Sequence, residues 1–204
     1  LRFKEFLEKK SYTDKNILNQ KFSFFTPNEL TRWRVNSILD KEPETIQWIN
    51  SFNNRGIFWD IGANIGLYSI YTAKKKRGIK IYSFEPSTSN LRTLSRNISI
   101  NKLQNKIFII PFALSNSKNK LLRLKEKQFR EGGALNAFGV EYDFSGKKFS
   151  VENSYNTFGT SIDDLIEKKT LEIPNYIKID VDGIEDLILA GAKKKLFNKK
   201  VESI

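Results

Sequence analysis

The segment Phe58-Trp59-Asp60-Ile61-Gly62-Ala63-Asn64-Ile65-Gly66 sets an acidic side chain ahead of a glycine turn where a strand gives way to a helix. Small residues there let backbone N–H groups and a helix N-terminus approach a ligand closely. A dinucleotide fingerprint counted from Gly62 needs glycine at 64 and 67, positions held by Asn64 and Leu67. The pattern that stands, D-x-G-x-N-x-G from Asp60 to Gly66, suits a cationic, amino-bearing ligand better than a pyrophosphate. Further on, Ile81-Tyr82-Ser83-Phe84-Glu85-Pro86 ends a second strand, with Glu85 lying 23 residues past Gly62. A carboxylate at that tip can accept hydrogen bonds from both hydroxyls of an adenosine ribose.

A third cluster is Ile177-Lys178-Ile179-Asp180-Val181-Asp182-Gly183-Ile184-Glu185. With the period of two of a strand, Lys178, Asp180 and Asp182 share one face. Charges in a strand covered on both faces are costly unless paired or placed at the rim. Asp180 and Asp182 are therefore expected at the carboxyl end, where open α/β sheets bind ligands. Lys178 lies deeper, and its expected partner is Asp60 on the neighbouring strand. A buried ion pair with no part in chemistry is the alternative for Lys178, and a plain turn residue before Gly183 for Asp182.

The chain has no His and no Cys, which removes thiolate nucleophiles, disulfides, the usual zinc sites and histidine-based triads. A general base must be Asp, Glu, Lys, Tyr or a water on an oxygen-bound metal. S-adenosylmethionine is a cationic, amino-bearing nucleoside of the kind these motifs suit, and methyl transfer from it asks for alignment more than for covalent help.

Taken together, these stretches resemble the FkbM family of S-adenosylmethionine-dependent O-methyltransferases. The resemblance rests on Trp59–Gly66, on Phe84-Glu85-Pro86 with Asn90, Leu94 and Asn97, on Pro111-Phe112-Ala113-Leu114-Ser115, and on Ile177–Glu185. It spans roughly residues 57–200, and Lys41-Glu42-Pro43-Glu44-Thr45 with Trp48 is similar to the lead-in of some members. The family more often has Asp-Val-Glu-Gly where this chain has Asp180-Val181-Asp182-Gly183. The resemblance implies a class I, Rossmann-like fold, a doubly wound and mostly parallel sheet, with its last strands absent from this sequence. It implies cofactor contacts from Asp60, Gly62, Asn64, Gly66, Glu85, Pro86, Ala113 and Leu114, with adenine near residues 112–115. Asp180, with Lys178, is the expected catalytic group: it deprotonates or orients the acceptor hydroxyl, or holds a divalent metal with Asp182 or Glu185.

The elements that must position these residues are legible in outline. Short apolar runs at Ile57–Ile61, Ile79–Phe84, Lys106–Pro111 and Tyr176–Val181, with another opening at Val201, read as strands. Amphipathic stretches near 65–76, 88–101, 161–169 and 184–196 read as the helices between them, giving βαβ units. Residues 1–55 read as a helical lead-in anchored by aromatic residues such as Phe3, Phe6, Phe22, Phe24, Phe25, Trp33 and Trp48, and residues 56–204 as the cofactor-binding domain. Between 115 and 160 an insertion, with strand-like pieces at Leu121–Leu124 and Phe149–Glu152, carries the loop Glu131-Gly132-Gly133-Ala134-Leu135-Asn136-Ala137. Insertions of that length tend to be lids or substrate loops, and a plain surface hairpin is the alternative.

A chain of 204 residues buries one core. Its formal charge of +12 admits a polyanionic partner. Only 9 of 35 cations are Arg, however, which favours a lysine-rich solvated surface over a nucleic-acid interface. No run approaches the 18 apolar residues of a membrane span, so a cytoplasmic location is expected. Met is absent from the sequence, so either an excerpt of a longer protein or a start at a non-standard codon translated as Leu is expected, and Val201-Glu202-Ser203-Ile204 reads as an interrupted strand. The function expected is O-methylation of a sugar, glycan or natural product, its acceptor free or linked to a nucleotide or lipid phosphate. RNA methylation and a non-enzymatic nucleoside-binding module are the alternatives.

Overall fold

The computed structural model of the chain describes residues 11–17, 19–142, 145–148 and 150–204. Its centre is a parallel sheet of four strands: β3 (Arg55–Ile61), β4 (Gly78–Phe84), β5 (Ile107–Ile110) and β10 (Tyr176–Ile179), in the order β10-β3-β4-β5. Chain order runs outward from β3 to β5 and then jumps back to β10, so a topological switch point falls between β3 and β10. Crevices for ligands open at the carboxyl ends of such a pair. Alternation along the strands feeds two cores. Phe58, Ile81 and Tyr176 pack on one face, while Trp59, Tyr82 and Ile177 pack on the other. The crossover helices are α3 (Leu67–Lys75), α4 (Thr88–Ile100), α5 (Ile162–Glu167) and α6 (Glu185–Ala190).

The lead-in is only partly helical. Residues 12–25 form an antiparallel hairpin, β1 (Tyr12–Ile17) and β2 (Gln20–Phe25). The expectation of helix there gives way to the spacing of Phe22 and Phe24, which alternate inward around Ser23 and are both buried. Side chains of α4 secure this hairpin: Asn97 Oδ1 accepts from the Phe25 amide (2.7 Å), and Asn101 exchanges hydrogen bonds with both main-chain groups of Ser23. The two lead-in helices are α1 (Glu29–Asn36) and α2 (Pro43–Ser51). Ile17, Phe22, Phe24, Val35, Ile49 and Phe52 join the same core as Phe58 and Ile81. Phe3 and Phe6 lie outside the described residues.

The insertion folds into a mixed sheet of β6 (Ala113–Leu114), β7 (Lys120–Glu126), β8 (Ala137–Phe138) and β9 (Asn153–Thr160), ordered β6-β9-β7-β8. Its second long strand therefore starts after Glu152, where Phe149–Glu152 was expected; Phe149 itself is outside the described residues. The helix expected over 184–196 stops at Ala190. Asp163 accepts hydrogen bonds from the amides of Lys194 and Lys195 and draws the chain out of the helical path. The strand expected from Val201 is a single parallel bridge between Ser203 and Tyr176. Among the described residues, no helix is long and apolar enough to cross a membrane.

Candidate active site

Gly62 is the hinge of the site. It follows β3 with φ of +82°, and a Cβ there would run into the carbonyl oxygen of Asp180. Glycine is therefore required so that the ends of β3 and β10 can meet, a reason internal to the fold. The turn that follows is not an anion cradle. The amides of Gly62 and Ala63 both donate to the Phe84 carbonyl, that of Asn64 to Glu85 Oε2, that of Ile65 to Asn64 Oδ1 and that of Gly66 to the Ala63 carbonyl. The expectation that these N–H groups face a ligand is thus corrected: every one is satisfied within the protein, and what the rim offers is carboxylates.

Two cavities open at the switch point. The first is lined by Gly62, Asn64, Glu85 and Pro86, by the apolar wall Phe112-Ala113-Leu114, by Asp180 and Asp182, and by Gly133, Ala134 and Asn136 of the insertion loop. The second is lined by Arg34, Lys41, Glu42, Tyr68 and Lys178. Gly62, Asn64 and Asp180 line both. Asp60 and Gly66 line neither. Asp60 is buried behind the turn, where Oδ2 accepts from Ser69 Oγ (2.5 Å) and Oδ1 has no partner, while Gly66 caps α3 against Leu94. Burial pushes the Asp60 carboxyl above its ordinary range, against the pull of the Lys178 ammonium and the Ser69 hydroxyl.

Glu85 sits at the end of β4, almost fully buried. Each of its oxygens accepts one backbone N–H at 2.8 Å, Oε2 from Asn64 and Oε1 from Ser87. The Asn90 side chain is a further hydrogen-bond partner, and since a carboxylate has about four acceptor positions, capacity remains for a ligand hydroxyl. Burial pushes its carboxyl up to about 7, even though the Ser87 and Asn64 amides pull it down.

Lys178 does not bond Asp60, although the two are register partners across β10 and β3. Its Nζ reaches forward to Asp180 Oδ2 at 2.7 Å and lies 4.9 Å from the Tyr68 ring centre. Asp180 sits at the exposed rim, where hydration and a wider choice of rotamers bring its carboxylate to the ammonium. Burial pushes the Asp180 carboxyl up, but the Lys178 ammonium more than offsets this and holds it below the usual range. The idea of a base raised by desolvation therefore fails for Asp180, and a positioning role fits. Nor do Asp180, Asp182 and Glu185 converge as metal ligands. Asp182, in a turn with φ of +62°, accepts from the Leu135 amide, and Glu185 accepts from the amides of Val181 and Gly183. Among the described residues, no group of three or more carboxylates could hold a metal.

The insertion loop lies across the first cavity as a strap. The Gly133 carbonyl accepts from the side-chain amides of Asn64 and Asn90, the Gly132 amide donates to Asn90 Oδ1, and the Gly132 carbonyl accepts from Arg34 Nε. Asn28, which caps α1, donates to the Glu131 carbonyl. The Arg34–Glu42 wall is the part that reasoning from sequence left without a role, while the loop expected as a lid or substrate loop lies at the first cavity. The Asn residues spaced through 28, 64 and 90 were the available signal, since side-chain amides can bond main chain in either sense.

A doubly wound sheet with a buried carboxylate after β4 and a close β3–β10 junction is the class I methyltransferase architecture. The model of the methyltransferase FkbM domain matches residues 60–202, and the chain belongs to this family, whose methyl donor is S-adenosylmethionine. Over 164 residues the chain is 24% identical to the hexuronic acid methyltransferase AglP of Haloferax volcanii, covering 80% of this chain and 61% of AglP. Over 161 residues it is 29% identical to the methyltransferase sdnD of Sordaria araneosa, covering 67% of this chain and 60% of sdnD. It thus spans about three fifths of the length of these curated relatives. Among solved structures it is similar to TYW2 of M. jannaschii in complex with AdoMet, with a TM-score of 0.35 at 22% identity over 49% of this chain and 42% of that one.

Proposed function

We propose that this protein transfers a methyl group from S-adenosylmethionine to a hydroxyl of a sugar or glycan, free or carried on a nucleotide or lipid phosphate. The observation that carries the reading is the pair of adjoining cavities sharing Gly62, Asn64 and Asp180. The residues of the first fit the cofactor. Glu85 would hold the ribose, Phe112-Ala113-Leu114 would flank the adenine, and the carboxylates of Asp180 and Asp182 suit the cationic end. A rim whose turn amides are all consumed favours such a ligand over a phosphate.

The sulfonium of the bound cofactor supplies an electrophilic methyl group. The protein's own part is to present the acceptor. In the second cavity Glu42 and Asp180 accept hydrogen bonds, Arg34, Lys41 and Lys178 donate them, and Tyr68 offers a ring face, a set suited to a polyhydroxylated acceptor. Tyr68 donates to Glu42 Oε2 at 2.8 Å and fixes that carboxylate. Burial pushes the Glu42 carboxyl up, but hydrogen bonds from Lys41 and Tyr68 more than offset this and hold it below the ordinary range, so it stays a charged acceptor. Lys178 holds Asp180 at the boundary, where its free oxygen can orient a hydroxyl. AglP acts on a hexuronic acid by its name, and that supports a sugar acceptor here. The test is formation of S-adenosylhomocysteine over a panel of glycan acceptors; turnover confined to non-hydroxyl nucleophiles would overturn the reading.

A further inference from the structure

Of the three cations lining the second cavity, two are neutralised. Lys178 pairs with Asp180 and Lys41 with Glu42, each at 2.7 Å. Arg34, half-buried, forms no ion pair among the described residues, and its hydrogen bond runs from Nε to a main-chain oxygen, that of Gly132 (2.7 Å). This bond fixes the guanidinium at one edge and leaves the two terminal NH₂ groups with no partner among the described residues. The acids nearest in charge effect, Asp182, Asp180 and Glu42, are bonded to Leu135, Lys178, and Lys41 with Tyr68. A guanidinium removed from bulk water is ordinarily matched by a carboxylate or phosphate, whose paired oxygens fit its fork.

We propose that the acceptor carries an anionic group, a carboxylate or a phosphate, beside its hydroxyl, and that Arg34 docks this group in the second cavity. The inference rests on reading that cavity as the acceptor site of a methyltransferase. Arg34 lies outside residues 60–202, so this selectivity is built by the lead-in onto the family domain. The same side chain holds the strap at Gly132, which pre-sets its orientation before an acceptor arrives.

The experiment is titration of the full chain, saturated with S-adenosylhomocysteine, with three probes: methyl glucoside, methyl glucuronide and glucose 6-phosphate. At least one anionic probe should bind about tenfold or more tightly than the neutral one, as a charge-assisted fork requires. The stronger of the two identifies the carboxylate or the phosphate source. Arg34→Gln should erase most of that preference, weakening the preferred anionic probe by several-fold more than methyl glucoside. Should Arg34→Gln fail to fold, Arg34→Lys, which keeps the charge but not the fork, should cut the preference by about threefold or more. Equal binding of the three probes, binding of none, or a preference that survives in the variants overturns the proposal. Failure of S-adenosylhomocysteine itself to bind would instead overturn the methyltransferase reading.

Discussion

The two cavities meet at Gly62, Asn64 and Asp180 yet are made of different material. The cofactor side is framed by main chain: turn amides closed on the Phe84 carbonyl, two strand ends in contact and a short apolar wall. The second cavity, proposed for the acceptor, has a wall of lead-in side chains: Arg34, Ser37, Ile38, Lys41 and Glu42. Backbone that doubles as sheet cannot change without moving the sheet, whereas side chains on a helix and turn can change while the core stays. Under the proposed reading the donor site would therefore tolerate less change than the acceptor site.

The largest effect that would sharpen this contrast comes from Gly62→Ala. Positive φ and the Asp180 carbonyl both oppose a Cβ, so the loss should be about 3 kcal/mol or more, lowering the melting temperature by roughly 6–12 °C. Unchanged melting would break the idea of a main-chain wall. Asp180→Asn should cut turnover by about 10²-fold, a larger loss than that in S-adenosylhomocysteine affinity; normal turnover would make Asp180 purely structural.

Glu85→Gln should weaken cofactor binding by roughly ten- to a hundredfold through loss of charge-assisted bonds, read by calorimetry. The wild type should also respond to pH in two opposite senses. The folded carboxyl, at about 7, keeps a proton that the unfolded chain releases near 4.5, so the stability of the ligand-free protein falls as pH rises through that interval. Cofactor affinity needs the carboxylate and rises with pH up to about 7, and Glu85→Gln should flatten both trends. The smallest effect is expected from Asn28→Ala, which removes an N-cap and a strap contact: about 1 kcal/mol of stability, with cofactor affinity unaltered.

The residues proposed for the cofactor stood out because their signals are local. Glu85 follows a strand by one residue, the Gly62 turn follows another, and Phe112-Ala113-Leu114 lies just past a third. Asp60 and Gly66 were assigned to the ligand because a motif does not reveal which members face outward; one is buried against Ser69 and the other packs on Leu94. The pairing of Lys178 depended on its reach beyond its register partner, which strand periodicity does not encode. The loop at 131–137 was legible as a lid or substrate loop by its length, but its meeting with Arg34 and Glu42 was not, because residues about a hundred positions apart meet only after the sheet has formed, as in the bond between Arg34 and Gly132. The hairpin was misread because a run of aromatic residues satisfies helical and strand spacing alike.

Gly62 lines both cavities while its amide closes on the Phe84 carbonyl and its Cα faces the Asp180 carbonyl, so the place where the cavities adjoin is built from the contacts that join the sheet. A side chain at 62 would part the ends of β3 and β10 before it altered the fit of any ligand, so the same atom position serves as a weld in the scaffold and as a wall of both chambers.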